Sequence, residues 1–207
     1  AFPPYATPES YLCSKLIGNL DGVEKDILTL DFPIMGLDDL DPSLDNYIRQ
    51  KFTNIFRIKI PKIINFLSST GIKNIFRFPD YFKFANKSLI NFIDEKINLN
   101  EYDHVITWSQ FHSVHLVGLN LKAKYKFNWV TYFSDPWSDN PFQTSFLGLE
   151  KYFNKKIEKQ VIYKSDKIIF TSEETKNLVN KKYDKEIDLK SHLIPHCFDK
   201  NLYVFNQ

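Results

Sequence analysis

Glycine is scarce in this chain, with six among 207 residues. No G-x-G-x-x-G occurs, so the usual dinucleotide-binding turn is missing. No G-x-x-x-x-G-K-[ST] occurs, which removes the P-loop. No G-x-S-x-G occurs, which disfavours an α/β-hydrolase. Cysteine is also rare. Cys13 and Cys197 stand far apart and outside any zinc-type pair, so two reduced thiols in a cytoplasmic protein are expected. No apolar run approaches the roughly 18 residues of a membrane span, and no signal peptide is visible. Net charge is only +2, from 27 basic and 25 acidic residues, which gives no reason to expect nucleic acid. The chain begins "AFPP" without a Met and ends "NLYVFNQ" without a cap, which reads as a trimmed piece.

What is present is ordinary globular material: 43% hydrophobic and 25% charged residues, rich in aromatics at 16%. Apolar runs alternate with helical patterns. "AFPP" reads as the end of a first strand. "TPESYLCSKLIGNLDG" reads as a helix capped by Thr7, with Pro8 in its first turn and Leu12, Leu16 and Leu20 as its stripe. "KDILTLDFP" is a strand, "GLDDLDPSLDN" a loop, "NIFRIKIPK" a strand and "PKIINFLSSTG" a short helix. "FPDYFKFANKSLINFIDEKI" is one long helix. "YDHVITWS", "NWVTYFS", "DKIIFTS" and "SHLIPH" are strands, separated by helices over "SVHLVGLNLKAKY", Thr144–Lys164 and "EETKNLVNKKY". This alternation predicts an α/β, Rossmann-like fold: a mostly parallel central sheet with helices on both faces, in one domain over 1–207.

Ligands of open parallel sheets gather beyond the carboxyl ends of the strands. Four such ends run into polar loops: "PPYATPES", "WSQFHSVH", "SDPWSDNP" and "SEET". Asp135 follows directly on an apolar strand and is stiffened by Pro136. Its carboxylate can accept from, or take a proton from, a sugar hydroxyl, or it can be a turn carboxylate satisfied by neighbouring N–H groups. Trp137 can stack on a sugar face or cover the core. Asp139 and Asn140 read as turn formers. His112 and His115, three apart, can hydrogen-bond a substrate near a helix start, or one can be solvated while the other packs or caps. Two histidines alone are too few ligands for a zinc site. Ser109 or Ser113 can cap the following helix, while Ser172 and Glu173 read as a cap and an acidic first turn. Phe153, Ile157 and Val161 form a stripe on a lysine-rich helix. That helix is either a core helix with a solvated face or one that touches an anionic membrane surface.

The order "FPP…S…L…L", "WSQFHSVHLVGLNLK", "WVTYFSDPW…NPF", "SDKIIFTSEETKNLV" and "LIPHCFD" resembles the N-terminal half of GT-B glycosyltransferases of the family four kind. The resemblance spans nearly the whole chain, and "SDPW" and "SDKIIFTSEET" are its most specific parts. It implies the acceptor-binding half of a retaining, nucleotide-sugar-dependent hexosyltransferase of polysaccharide biosynthesis. The acceptor would be a glycan or a lipid-linked sugar. A C-terminal donor-binding half, absent here, would supply most nucleotide-sugar contacts, so this half alone would be inactive. No metal or other cofactor is implied for this domain. Carried over by position, Asp135 is the catalytic candidate. His112, His115, Trp137, Ser109 and Glu9 face the acceptor, and Ser172 and Glu173 line the donor side. The first loop, "YATPES", departs from the family's Gly-rich turn, which puts donor contact from that loop in doubt. The location implied is cytoplasmic, with peripheral membrane contact open. The alternative is a non-catalytic module of the same shape that binds a glycan or a protein.

Overall fold

The computed structural model describes residues 2–31, 40–70, 78–109, 111–140 and 149–200. The chain is α/β, with parallel strands and helices, as the alternation predicts. The strands are shared between two sheets rather than one. A two-stranded sheet pairs β1 (Asp26–Asp31) with β2 (Asn54–Lys59), and a four-stranded sheet follows chain order through β3 (His104–Ser109), β4 (Asn128–Phe133), β5 (Lys167–Phe170) and β6 (Ser191–Leu193). Among the described residues, the paired strands β1–β2, β3–β4, β4–β5 and β5–β6 are parallel. The residues fall into two compact units, 1–60 with 196–207, and 61–195.

In the first unit, α1 (Pro8–Gly18) starts as expected. Thr7 accepts from the Ser10 N–H at 3.1 Å and Pro8 needs no partner for an N–H it lacks. The Leu12–Leu16–Leu20 stripe does not hold, because only Leu12 is buried and Leu20 lies exposed beyond the helix. The buried side of α1 instead carries Glu9, Ser10, Leu12, Cys13 and Ser14. "AFPP" is not a strand end: Phe2 packs edge-on against Phe52, and Pro3 and Pro4 form a turn. "DPSLDN", expected as loop, opens α2 (Pro42–Lys51). The Asp41 carboxylate accepts from the Ser43 and Leu44 N–H groups, so Pro42, expected within a loop, is a first-turn residue. Asp199 closes the unit by accepting from Tyr47 at 2.7 Å and Asn19 at 2.9 Å.

In the second unit, α3 (Lys62–Ser69) comes first. The long helix expected next is broken into a 3₁₀ turn, Tyr81–Ala85, and α4 (Asn86–Lys96). Asp80 causes the break's geometry. One carboxylate accepts from the Phe82 N–H, the Ser113 N–H and the Ser113 hydroxyl, tying the turn to the start of α5 (Val114–Lys124). Burial pushes the Asp80 carboxyl above its ordinary value, while the Ser113 bonds oppose that.

α6 (Leu149–Lys164) joins β4 to β5, and α7 (Glu173–Asn180) with α8 (Glu186–Leu189) joins β5 to β6. Thr144–Gly148, the expected start of α6, lies outside the described residues. The predicted Phe153–Ile157–Val161 stripe is not the buried face: Phe153 is 41% exposed and Val161 fully buried. The buried face is Asn154, Glu158, Val161, Ile162 and Ser165.

The core is aromatic. Trp129, Tyr132, Phe133, Trp137 and Phe170 are fully buried. Trp129 lies under α5 where Gly118 leaves it room. A Cβ at Gly118 would stand 2.4 Å from the indole, inside any real contact. The indole donates to Thr107 Oγ1 at 2.9 Å, which leaves it little freedom to move aside.

Gly118→Ala tests this fit. Alanine should gain about 1 kcal/mol of helix propensity, against an overpacking cost of about 1–3 kcal/mol. We expect net destabilisation, read as a lower Tm; an unchanged or raised Tm would show that the indole is not held.

Candidate functional site

The carboxyl ends of β3, β4 and β5 are laced together. Ser109 Oγ donates to the Tyr132 carbonyl at 2.8 Å, and Ser134 Oγ donates to the Ser109 carbonyl at 2.7 Å. Thr171 Oγ1 donates to the Ser134 carbonyl at 3.1 Å. These three hydroxyls satisfy carbonyls where the ladders end, so the strand ends form one continuous rim. Ser109 is therefore a buried crosslink and not a helix cap.

Asp135 stands just beyond this rim, exposed, two residues after Phe133. Behind it lies an aromatic stack. His112 is stacked on Trp137, with centroids 4.7 Å apart and planes 5° from parallel. His115 stacks on Phe133 at 4.8 Å. His112, His115 and Trp137 are thus brought together, as the sequence suggests, but inside the core and with almost no exposure. Neither histidine is solvated.

The His115 ring is held by a short chain of bonds. The Trp129 indole can only donate, so Thr107 Oγ1 accepts from it, and the same hydroxyl is hydrogen-bonded to His115 Nδ1 at 2.8 Å. His115 Nε2 and His112 Nδ1 are buried with no hydrogen-bond partner among the described residues. Burial pushes His112 down to about 3. Burial, then the neighbouring His112, pushes His115 well below its ordinary value.

The other candidates separate from this group. Glu9 belongs to the first unit and is buried there. Beside it the Cys13 thiol is pushed up to about 12, first by burial and then by Glu9. Ser172 caps α7, accepting from the Thr175 N–H at 3.1 Å. Glu173 is exposed in the first turn, 3.7 Å from Lys176.

A second group, which the sequence analysis did not single out, lies under the turn that carries Asp135. Glu158 on α6 is fully buried. Its Oε2 accepts from the Ser138 N–H at 2.7 Å. Its Oε1 accepts from the Tyr183 hydroxyl at 2.6 Å and faces Lys182 Nζ at 2.5 Å. Lys182 also donates to Ser138 Oγ at 2.9 Å and pairs with Asp139 at 3.1 Å. Lys151 pairs with Asp139 from α6 at 2.9 Å. Burial works to raise the Asp139 carboxyl, but the two lysines outweigh it and hold it below its ordinary value. Burial, then Glu158, pushes the Tyr183 phenol up. Trp137 Nε1 donates to Asn154 on the same face of α6 at 3.2 Å. Asp139, read as a plain turn former, is therefore an ion-pair partner. The signal that could have found this group is the polar i, i+4 pair Asn154 and Glu158, placed where an apolar stripe was expected.

Among the described residues, no group of three or more His, Cys, Asp or Glu could hold a metal ion. No described helix is long and apolar enough to cross a membrane.

The two buried imidazoles make stability depend on pH. Their depressed folded values mean that the unfolded chain binds more protons below its ordinary histidine value, about 6.5. Stability is full above that value and falls as pH drops through it. Urea unfolding at pH 7.5 and 5.5 should differ by about 1.4 kcal/mol for each of the two histidines. His112→Phe, which keeps a ring on Trp137, should remove one histidine's share. Equal stability at the two pH values would contradict the buried neutral assignment.

Compared with known proteins, the chain matches no family model, no curated protein and no solved structure.

Proposed function

We propose that the chain is the acceptor-binding half of a retaining, nucleotide-sugar-dependent GT-B glycosyltransferase that moves a hexose to a glycan or lipid-linked acceptor. The donor would be held mostly by a second, C-terminal half. One observation supports this above the others. The laced ends of β3, β4 and β5 present an exposed carboxylate, Asp135, on a turn anchored from beneath. That is the edge at which open parallel sheets receive ligands.

In this reading Asp135 orients the acceptor hydroxyl by accepting its hydrogen bond, and the donor's own phosphate assists the attack. His112, His115 and Trp137 support the rim from within, because their burial leaves no face for an acceptor. Ser109 does the same through its bond to the Tyr132 carbonyl. Cytoplasmic placement with peripheral membrane contact belongs to the same reading, and the exposed Lys155, Lys156 and Lys159 on α6 suit an anionic surface.

A second reading, a non-catalytic module that binds a glycan or a protein, is favoured by one observation. Most polar candidates at the rim are already used in internal bonds, as Ser109, Ser134 and Ser172 show.

Asp135→Asn in the full-length protein separates the two. Release of nucleoside diphosphate from nucleotide-hexose donors in the presence of acceptor should fall at least tenfold. Turnover within twofold of the parent would end the catalytic role of Asp135. The 207-residue chain alone should transfer no sugar, and detectable transfer by it would overturn the half-enzyme reading.

A further inference from the structure

The Glu158 carboxylate is the least expected group in the second unit. It is fully buried on a helix whose exposed side is rich in lysine, and it makes no bond within its own helix among those described. All three of its partners come from elsewhere: Ser138 in the turn after β4, and Lys182 and Tyr183 just after α7. A buried carboxylate is retained at a cost in desolvation, and a better-packed apolar pair often serves stability equally well. Its geometry shows what the group does that an apolar side chain could not. It fixes the amide of Ser138, three residues after Asp135, at 2.7 Å.

The turn is held at three successive points. Trp137 is clasped through its indole N–H to Asn154 at 3.2 Å. Ser138 is held by its amide to Glu158 and by its hydroxyl to Lys182 at 2.9 Å. Asp139 is held between Lys182 at 3.1 Å and Lys151 at 2.9 Å. Ser134, at the other end, is tied to the rim. Asp135 lies between these anchors and its side chain is exposed.

We propose that Glu158 is the positioning residue of this site: its buried carboxylate, completed by Lys182, clamps the 134–140 turn through the Ser138 amide and so fixes where Asp135 stands beyond β4. The inference rests on the reading of Asp135 as the acceptor-facing carboxylate. Lys182 has a separate part. It neutralises Glu158 and Asp139 together, so that two carboxylates can approach the same turn.

The test compares two double variants that both remove the buried charges as a pair, so that neither leaves an orphan charge in the core. Glu158→Gln with Lys182→Met keeps a carbonyl oxygen for the Ser138 amide. Glu158→Met with Lys182→Met does not. Amide hydrogen exchange is followed for Ser138 and, as the internal reference, for Ile169 in β5. In the glutamine variant the Ser138 amide should exchange within threefold of the parent. In the methionine variant it should exchange at least tenfold faster, while Ile169 stays within threefold in both. Ser138 exchange that is unchanged in the methionine variant, or that rises equally in both variants along with Ile169, would overturn the proposal. A merely structural role predicts that last pattern, because protection would then follow global stability.

The exchange measurement needs no substrate, so its failure removes the clamp and leaves the acceptor reading standing. If the clamp holds but Asp135→Asn turns over like the parent, the functional reading fails alone. In the full-length protein the methionine variant should lower acceptor-dependent release of nucleoside diphosphate at least fivefold, with the glutamine variant within twofold. Equal losses in the two would also count against positioning.

Discussion

A carboxylate buried without full hydrogen bonding would cost several kcal/mol and would expel itself or take a proton. Glu158 avoids that penalty with three donors from two separate stretches of chain. Much of the second unit's local arrangement follows from this requirement. α6 must turn Asn154 and Glu158 inward, which turns Phe153 outward. The turn after β4 must bring an amide to the carboxylate, and the chain leaving α7 must bring Lys182 and Tyr183 to the same place. Two successive connections of one parallel sheet, β4 to β5 and β5 to β6, are thereby locked to one another at a single charged centre.

The aromatic core combines a bonded chain of polar atoms with two ring nitrogens, His112 Nδ1 and His115 Nε2, that have no hydrogen-bond partner among the described residues. Trp129, Thr107 and His115 form a chain of bonds between β4, β3 and α5. At Gly118 the helix lies so close to that indole that a Cβ would not fit. The two histidines are neutral because water is excluded from them, and neutral imidazoles stack on Trp137 and Phe133 as flat apolar plates. These rings are buried and offer no contact surface of their own.

Much of this was legible beforehand. The strands β1 to β6 and the helices α1, α3, α5 and α7 lie where alternation and capping residues put them, because Thr7, Pro8 and Ser172 act within a few residues of themselves. The errors share one cause. "GLDDLDPSLDN" reads as a loop, but Asp41 makes Pro42 a helix start. Of the Leu12–Leu16–Leu20 and Phe153–Ile157–Val161 stripes, only Leu12 and Val161 are buried, and polar residues share each buried face. Periodicity tells that a face is apolar in sequence; it does not tell what polar partners wait on the other side.

The sequence by itself determined an α/β chain with parallel strands, the position of the polar loops at the strand ends, and the exposed place of Asp135, since these depend on local pattern and on the rule that strand ends carry loops. Tertiary structure alone decided that His112, His115, Trp137 and Ser109 face inward, and that Glu158 is buried at all. The reason is physical. Whether a polar side chain can leave water depends on donors that arrive from residues tens of positions away, as Lys182 and Tyr183 arrive at Glu158.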